Sequence, residues 1–308
     1  MACVLVTGAT GFIGKALCFR LLEEEYDVVA LSRSKERGEE IFGTDVTVVE
    51  WDGKSSEAWQ DYANGAYAIV NLAGENIGSG RWTTKKKQSI IQSRLDAGKA
   101  VVEAVKSVEK KPNVIIQASA IGYYGSRGDE VIDESSSPGE GFLAEVVKKW
   151  EQSTKEVESQ KIRRVIVRSS IVLGKEGGVF LRLVKPFRYF IGGHLGSGKQ
   201  WFSWINLEDE IKAILFLIQR EDLSGVFNLT APHQLVQKDF FHILGKIMKR
   251  PSWFPVPGFV LRLIFGEMAK DTLLSGQRVA PRRLQEAGYR FLYPRAELAL
   301  NVILGKTI

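Results

Sequence analysis

Short, continuous apolar runs alternate with longer amphipathic segments along most of this chain. The runs cover residues 4–6, 27–32, 46–51, 66–72, 113–119 and 164–173, and 226–230 closes the series. The amphipathic segments between them cover 15–25, 82–108, 142–158 and 208–220. A run with no polar alternation reads as a strand covered on both faces, and strands separated by helices read as a parallel sheet. The pattern predicts a doubly wound α/β domain whose ligands lie at the carboxyl ends of its strands. This domain spans residues 1–175 together with 207–230. Residues 176–206 and 231–308 are expected to form a smaller, mainly helical lobe containing the aromatic, proline-rich turn at 251–257. The cleft between the two is the expected substrate site. Trp201, Phe202 and Trp204 are candidates to line it, although alternation within a strand would turn some of them into core.

The first run leads into Thr7-Gly8-Ala9-Thr10-Gly11-Phe12-Ile13-Gly14, where three glycines recur at every third position just before a helix. A strand, a glycine turn and a helix start together make a pyrophosphate site. Gly8 permits the turn, Gly11 lets backbone approach phosphate, and Gly14 lets the helix pack closely on the strand. The helix then aims free N–H groups and its positive dipole end at the anion. Which dinucleotide is held is read at the end of the second run, roughly 20 residues on, where a carboxylate would bond the ribose 2′-hydroxyl of NAD. Ser32-Arg33 stands there, followed by Lys35 and Arg37. A hydroxyl and a guanidinium suit the 2′-phosphate of NADP(H); the other reading of Arg33 is a surface charge on a loop.

The wording TGATGFIG resembles the short-chain dehydrogenase/reductase superfamily, in its extended branch of epimerases and dehydratases. Asn71-Leu72-Ala73-Gly74-Glu75-Asn76-Ile77 and Arg81-Trp82 resemble one epimerase-like subgroup, some of whose members carry cell-division-inhibitor names. The segments 118–125, 168–174, 196–205, 277–284 and 288–291 match it too, so the likeness spans nearly the whole chain. It implies a Rossmann-type doubly wound sheet with a smaller helical carboxy-terminal lobe. It also implies that Gly8, Thr10, Gly11, Phe12, Ile13, Gly14, Ser32, Arg33, Leu72, Ala73, Gly74, Ser89, Arg94 and Val172 contact the cofactor. Asp52 occupies the place where relatives hold the adenine amino group, unless Asp52-Gly53 is only a turn.

Superfamily enzymes place a Ser at the fifth strand end and a Tyr-x-x-x-Lys pair on the next helix, where the Tyr moves the substrate proton and the Lys lowers its pKa. Ser119 is present. Aligning Glu151 with the glutamate common in relatives puts Leu143 at the Tyr position and Val147 at the Lys position. Two aliphatic side chains transfer no proton. Tyr123 and Tyr124 could supply a phenol and Glu75 a base; the alternatives are packing for the tyrosines and a helix-capping or ribose-binding role for Glu75.

Composition narrows the choice of class. The chain has 308 residues, 44% hydrophobic and 25% charged, with no apolar stretch long enough to cross a bilayer. The first strand follows Met1 so closely that no signal peptide is expected, which points to the cytoplasm. Cys3 and Cys18 read as small core residues, and the three histidines show no metal-ligand spacing, so no metal is expected. The net charge of +6 suits an anionic ligand. The basic clusters are short and not interleaved with aromatics, which argues against nucleic acid. The expectation is therefore an NADP(H)-dependent oxidoreductase or epimerase acting on a small molecule of unknown identity through an atypical proton relay. The alternative is a dinucleotide-binding regulator or sensor with little turnover, and a homo-oligomer is compatible with either.

Overall fold

The structure is a computed structural model and describes residues 2–306. In chain order the strands are β1 (Cys3–Thr7), β2 (Asp27–Ser32), β3 (Thr47–Glu50), β4 (Ala68–Asn71), β5 (Val114–Ala120), β6 (Val131–Ile132), β7 (Arg163–Ser169), β8 (Ile171–Leu173), β9 (Trp201–Phe202), β10 (Trp204–Asn206), β11 (Gly225–Leu229), β12 (Leu235–Val236) and β13 (Arg278–Val279). The helices are α1 (Phe12–Glu23), α2 (Lys35–Phe42), α3 (Thr84–Ser107), α4 (Phe142–Ser153), α5 (Phe180–Arg188), α6 (Leu207–Gln219), α7 (Gln237–Met248), α8 (Gly258–Phe265), α9 (Arg282–Glu286) and α10 (Ala296–Ile303). Among the described residues no helix is long and apolar enough to cross a membrane.

Seven strands form one parallel sheet in the order β11-β7-β5-β4-β1-β2-β3. The order reverses between β1 and β4, and the crevice above that switch point is where such sheets bind ligands. The apolar runs are continuous because both faces of the sheet are covered. One core joins Val4, Val6, Val70 and Ile116 to Leu17, Leu21 and Ile214. The other joins Leu5, Ile69 and Ile115 to Ala97, Val101 and Val105 of α3. These α3 residues recur at helical spacing, and the helix starts at Thr83, whose hydroxyl accepts from Lys86 N at 3.2 Å.

The run at 164–173 differs from the single strand expected. It breaks at Ser170, so β7 stays in the main sheet while β8 pairs with β10 in a separate ribbon. At the break Ser170 N–H makes the last rung to Leu229 O, and its hydroxyl donates to the same oxygen. A third core is built on Phe180, Phe187, Phe202, Trp204, Phe240 and Leu300, all from the segments expected to form the smaller lobe. Phe202 and Trp204 are thus core, and only Trp201 stays partly exposed. The chain also returns to the large sheet late. Leu284 lies in the main core with Tyr289 and Phe291 against it, and Asp209 accepts from Leu292 N and Tyr293 N at 2.8 and 2.9 Å. The segment near 282–293, assigned from its position to the small lobe, therefore clasps α6. The chain ends within the expected spans, Met1 and residues 307–308, lie outside the described residues.

Candidate functional site

The glycine turn sits at the switch point. Gly8 has φ +67°, and a Cβ there would lie 3.1–3.2 Å from the backbone of Leu72 and Ala73. A Cβ on Gly14 would overlap the carbonyl oxygen of Gly8, so the start of α1 can lie on the turn only because that atom is missing. The helix begins at Gly11 with no side chain bonded to its first N–H groups and no acidic residue in its first turn. Those donors are available to an anion. The cradle therefore fits a dinucleotide's pyrophosphate. Thr10 and Ile13 are partly buried beside it, Ile13 against the main core. Phe12 lies against the loop after β8: a Cβ at Gly174 or Gly178 would come within 2.8 Å of its ring. Val172 precedes that loop and packs on the main core. Glycines there let Phe12 lie flat against the chain.

A buried polar network, not anticipated from the sequence, ties three strand ends together. Thr7 Oγ1 donates to Asn71 Oδ1 at 2.7 Å and accepts from the N–H groups of Leu72 and Ala73 at 3.1 Å each. Asn71 Nδ2 donates to Gln117 Oε1 at 2.9 Å, and Gln117 Nε2 to Ala118 O at 2.7 Å. Thr7, Asn71 and Gln117 are fully buried, and a satisfied network of this kind fixes one arrangement. The legible signal was a polar side chain at or near the carboxyl end of each of three apolar runs, Thr7, Asn71 and Gln117.

At the end of β2, Ser32 is buried and donates to Ser34 O at 2.9 Å, while Ser34 caps α2. Arg33 is exposed and lines a cavity of about 310 Å³ with Trp51, Asp52 and Ser55. Asp52 accepts from Lys54 N and Ser55 N at 2.7 and 3.0 Å, so the turn and the cavity wall are both its positions. These backbone bonds hold its carboxyl below the usual range.

Beyond β4, Gly74 leaves room for Arg94, whose guanidinium carbon would be 3.1 Å from a Cβ there. Arg94 Nη1 donates to Glu75 O and Ile90 O, and its guanidinium stacks 4.6 Å from the Trp150 ring centre. Burial pushes its pKa down to about 10. Ser93, one turn beyond Ser89, accepts from Glu75 N at 3.0 Å, and Ser89 itself is exposed. Glu75 is paired with Lys86 at 2.5 Å. That bond, with the charges of Arg33 and Arg94 and against partial burial, holds the Glu75 carboxyl below its ordinary value. As a base it is correspondingly weakened.

The fifth strand end carries the other candidates. Ser119 is 4% exposed and donates to Glu151 Oε1 at 2.6 Å. Arg168 holds the same carboxylate with two bonds, from Nε to Oε1 at 2.7 Å and from Nη2 to Oε2 at 2.9 Å. Burial opposes the Arg168 charge, but the Glu151 bonds outweigh it and raise the guanidinium above its usual value. Arg168 Nη1 also donates to Tyr124 Oη at 2.9 Å, and that hydroxyl donates to Asn228 Oδ1 at 2.7 Å. Tyr124 is fully buried, and burial pushes its phenol up to about 12. Its hydroxyl is thus engaged on both sides. Tyr123 is partly exposed, with the Arg168 guanidinium 3.4 Å from its ring centre. Leu143 and Val147 both border Gly122, placing the aliphatic pair on the α4 face that also carries Glu151.

Comparison with known proteins agrees with this geometry. Residues 4–230 match the NAD dependent epimerase/dehydratase family, and residues 256–303 match a domain of unknown function. The chain is 39% identical over 303 residues to the chloroplastic "Epimerase family protein SDR39U1 homolog" of Arabidopsis thaliana, covering 98% of this chain and 86% of that one. It is 34% identical over 302 residues to "Epimerase family protein YfhF" of Bacillus subtilis, covering 98% and 97%. A crystal structure of human epimerase family protein SDR39U1 with NADPH aligns at TM-score 0.89 and 30% identity over 99% of this chain and all of that one. A glycine cradle at the switch point of a seven-stranded parallel sheet, and likeness along nearly its whole length, make this chain a member of the NAD dependent epimerase/dehydratase family.

Proposed function

We propose that this protein binds NADP(H) in preference to NAD(H) and acts on a small molecule in the cleft between its lobes, as an epimerase or oxidoreductase with an atypical proton relay. The observation that carries the cofactor choice is the end of β2. Ser32-Arg33 replaces a carboxylate there, and Arg33 borders a cavity large enough for a nucleoside end. The NADPH in the human relative's structure supports the same choice. The glycine turn and the N-terminus of α1 would hold the pyrophosphate, and Phe12 and Val172 would flank the nicotinamide end. When bound, the nicotinamide supplies or accepts hydride. The chain's own part is to orient it and to move a proton, and Tyr123 is the partly exposed phenol near Ser119. A titration with NADPH and NADH tests the reading. Tighter NADPH binding is expected, by about ten- to hundredfold, and equal affinities would overturn it.

A second reading is favoured by Leu143 and Val147, which border Gly122 where relatives place Tyr and Lys. It is a dinucleotide-binding regulator or sensor with little turnover. Substrate-dependent change in nicotinamide absorbance separates the two: its presence supports the enzyme, and stoichiometric binding without it supports the sensor.

A further inference from the structure

We infer that the end of α5, the turn after α7 and the outer side of α8 together dock on a membrane surface rich in anionic phospholipid. The inference is independent of the cofactor reading.

Charge is unevenly spread along the chain. Residues 177–206 and 240–266 contain no Asp or Glu, yet they carry four lysines and four arginines. These stretches thus hold +8 of a net charge of +6, and the remainder is −2. All of these cations except Arg250 are exposed, and among the described residues none has a carboxylate partner. The flanking acids are engaged elsewhere: Glu176 lies by Lys15, and Glu267 is paired with Lys87. Asp239 lines a cavity with Lys238, His194, His242 and Trp253.

The same stretches hold nine of the fourteen large apolar side chains that are exposed among the described residues. Single exposed apolar residues need no explanation, but a contiguous patch marks an interaction site. Here the fold brings them together. Gly192 pairs with Ser252 and Leu195 with Val256. Phe254 N donates to Gly192 O at 3.1 Å, and Trp253 Nε1 to Phe190 O at 3.2 Å. Tyr189, Phe190 and Ile191 therefore lie alongside Trp253 and Phe254, with Tyr189 67% and Trp253 75% exposed. The helix α8 follows directly. Six of its eight residues are apolar, yet only Leu261 is buried. Phe259 and Leu263, one turn apart, are 72% and 75% exposed.

Cations are interspersed with these side chains. Arg188 precedes Tyr189, the Arg250 guanidinium lies 4.3 Å from the Phe190 ring centre, and Arg262 precedes Leu263. This chemistry matches the boundary between headgroups and acyl chains in an anionic bilayer. Aromatic rings settle at that boundary, aliphatic groups reach the acyl chains, and each cation near the surface strengthens binding by about fivefold. A second copy closing symmetrically on the patch would set these cations against one another. A single-stranded nucleic acid could use the cations and the rings, but Ile191, Leu263 and Ile264 offer it nothing. A surface contact of this kind needs no spanning helix.

The test is co-sedimentation of the full chain with vesicles of phosphatidylcholine alone and of phosphatidylcholine mixed with phosphatidylglycerol. Binding to the mixed vesicles should be stronger by about tenfold or more, and salt should weaken it. Trp253→Ser with Phe259→Ser, and separately Lys185→Glu with Arg188→Glu, should each lower it by about ten- to hundredfold. All four side chains are exposed, so the fold should survive, and whichever pair keeps the wild-type melting temperature carries the comparison. No binding to the mixed vesicles, equal binding to both kinds, or binding that both variant pairs retain overturns the inference. Without vesicle binding, a dimer that the variants dissolve assigns the patch to a second copy, and capture of a uridine oligonucleotide assigns it to nucleic acid; either overturns it too.

Discussion

The hydroxyl of Ser119 is donated to Glu151 Oε1 at 2.6 Å, and Arg168 closes on the same carboxylate from the neighbouring strand. The serine at the fifth strand end is 4% exposed and part of a buried ion-pair network. The network runs on through Tyr124 to Asn228 and so joins β5, α4, β7 and β11.

Breaking that network should be expensive. Glu151→Ala leaves the Arg168 guanidinium buried without its carboxylate, and one-sided removal of a buried pair typically costs about 3–5 kcal/mol. Urea unfolding should show a loss of that size, whereas Glu145→Ala, at an exposed pair with Lys149, should change stability by less than about 1 kcal/mol. Equal small losses would mean that the network contributes little.

The glycines of the turn should separate binding from folding. A Cβ at Gly11 would stand 3.0 Å from Gly8 O, a contact that small shifts relieve, but the added bulk fills space beside the pyrophosphate site. Gly11→Val should therefore fold and lose NADPH binding. At Gly14 the Cβ would overlap Gly8 O itself, so Gly14→Ala should lower the melting temperature as well. Retained NADPH affinity in a folded Gly11→Val protein would remove the cofactor from this turn.

Much of this was legible in the sequence because it depends on spacing. The glycine triplet, the absence of a carboxylate after β2, and Leu143, Val147 and Glu151 on one helix face all follow from counting along the chain. What escaped depends on which strands become neighbours. Tyr124 and Asn228 meet only because β7 lies between β5 and β11, and Thr7 reaches Asn71 only because β1 is flanked by β4. The run at 164–173 is interrupted by the polar triplet Arg168-Ser169-Ser170, and reading straight through it as one strand missed the place where the chain leaves the main sheet.

Glu210 gives a pH signature. It is fully buried on α6, accepts from Ser169 Oγ at 2.5 Å, and its other oxygen has no partner. Burial pushes its pKa up from 4.5 to about 8. The folded state therefore keeps a proton that the unfolded chain releases, so this group's contribution to stability is full below about pH 4.5 and is lost as pH rises toward about 8. At about 1.4 kcal/mol per pKa unit, the effect at neutral pH amounts to several kcal/mol. Glu210→Gln should flatten the decline in stability between pH 5 and 8 in denaturant titrations; an unchanged pH slope would place the titrating group elsewhere.

Turnover should be slow and should depend on Tyr123. A positioned acid–base group contributes about 10²–10⁴-fold in rate, so without the usual pair a deficit of that size is expected. Tyr123→Phe should depress residual hydride transfer further while leaving NADPH affinity unchanged. Tyr124→Phe should act mainly on stability, by about 1–3 kcal/mol, because it leaves donors of Arg168 and an acceptor on Asn228 unsatisfied. Glu75→Gln should act mainly by releasing Lys86. Rapid hydride transfer that survives all three changes would contradict both the substitute relay and the near-inactive alternative.

The central claim, that Arg33 reads the 2′-phosphate, is tested most directly with two fragments of the cofactor. The affinities of 2′,5′-ADP and 5′-AMP are measured for the wild type and for Arg33→Ala. The account predicts that the 2′-phosphate strengthens wild-type binding by about ten- to hundredfold, and that most of this gain disappears in Arg33→Ala, whose affinity for 5′-AMP stays near that of the wild type. Equal binding of the two fragments by the wild type, or a preference that survives the loss of Arg33, would contradict it.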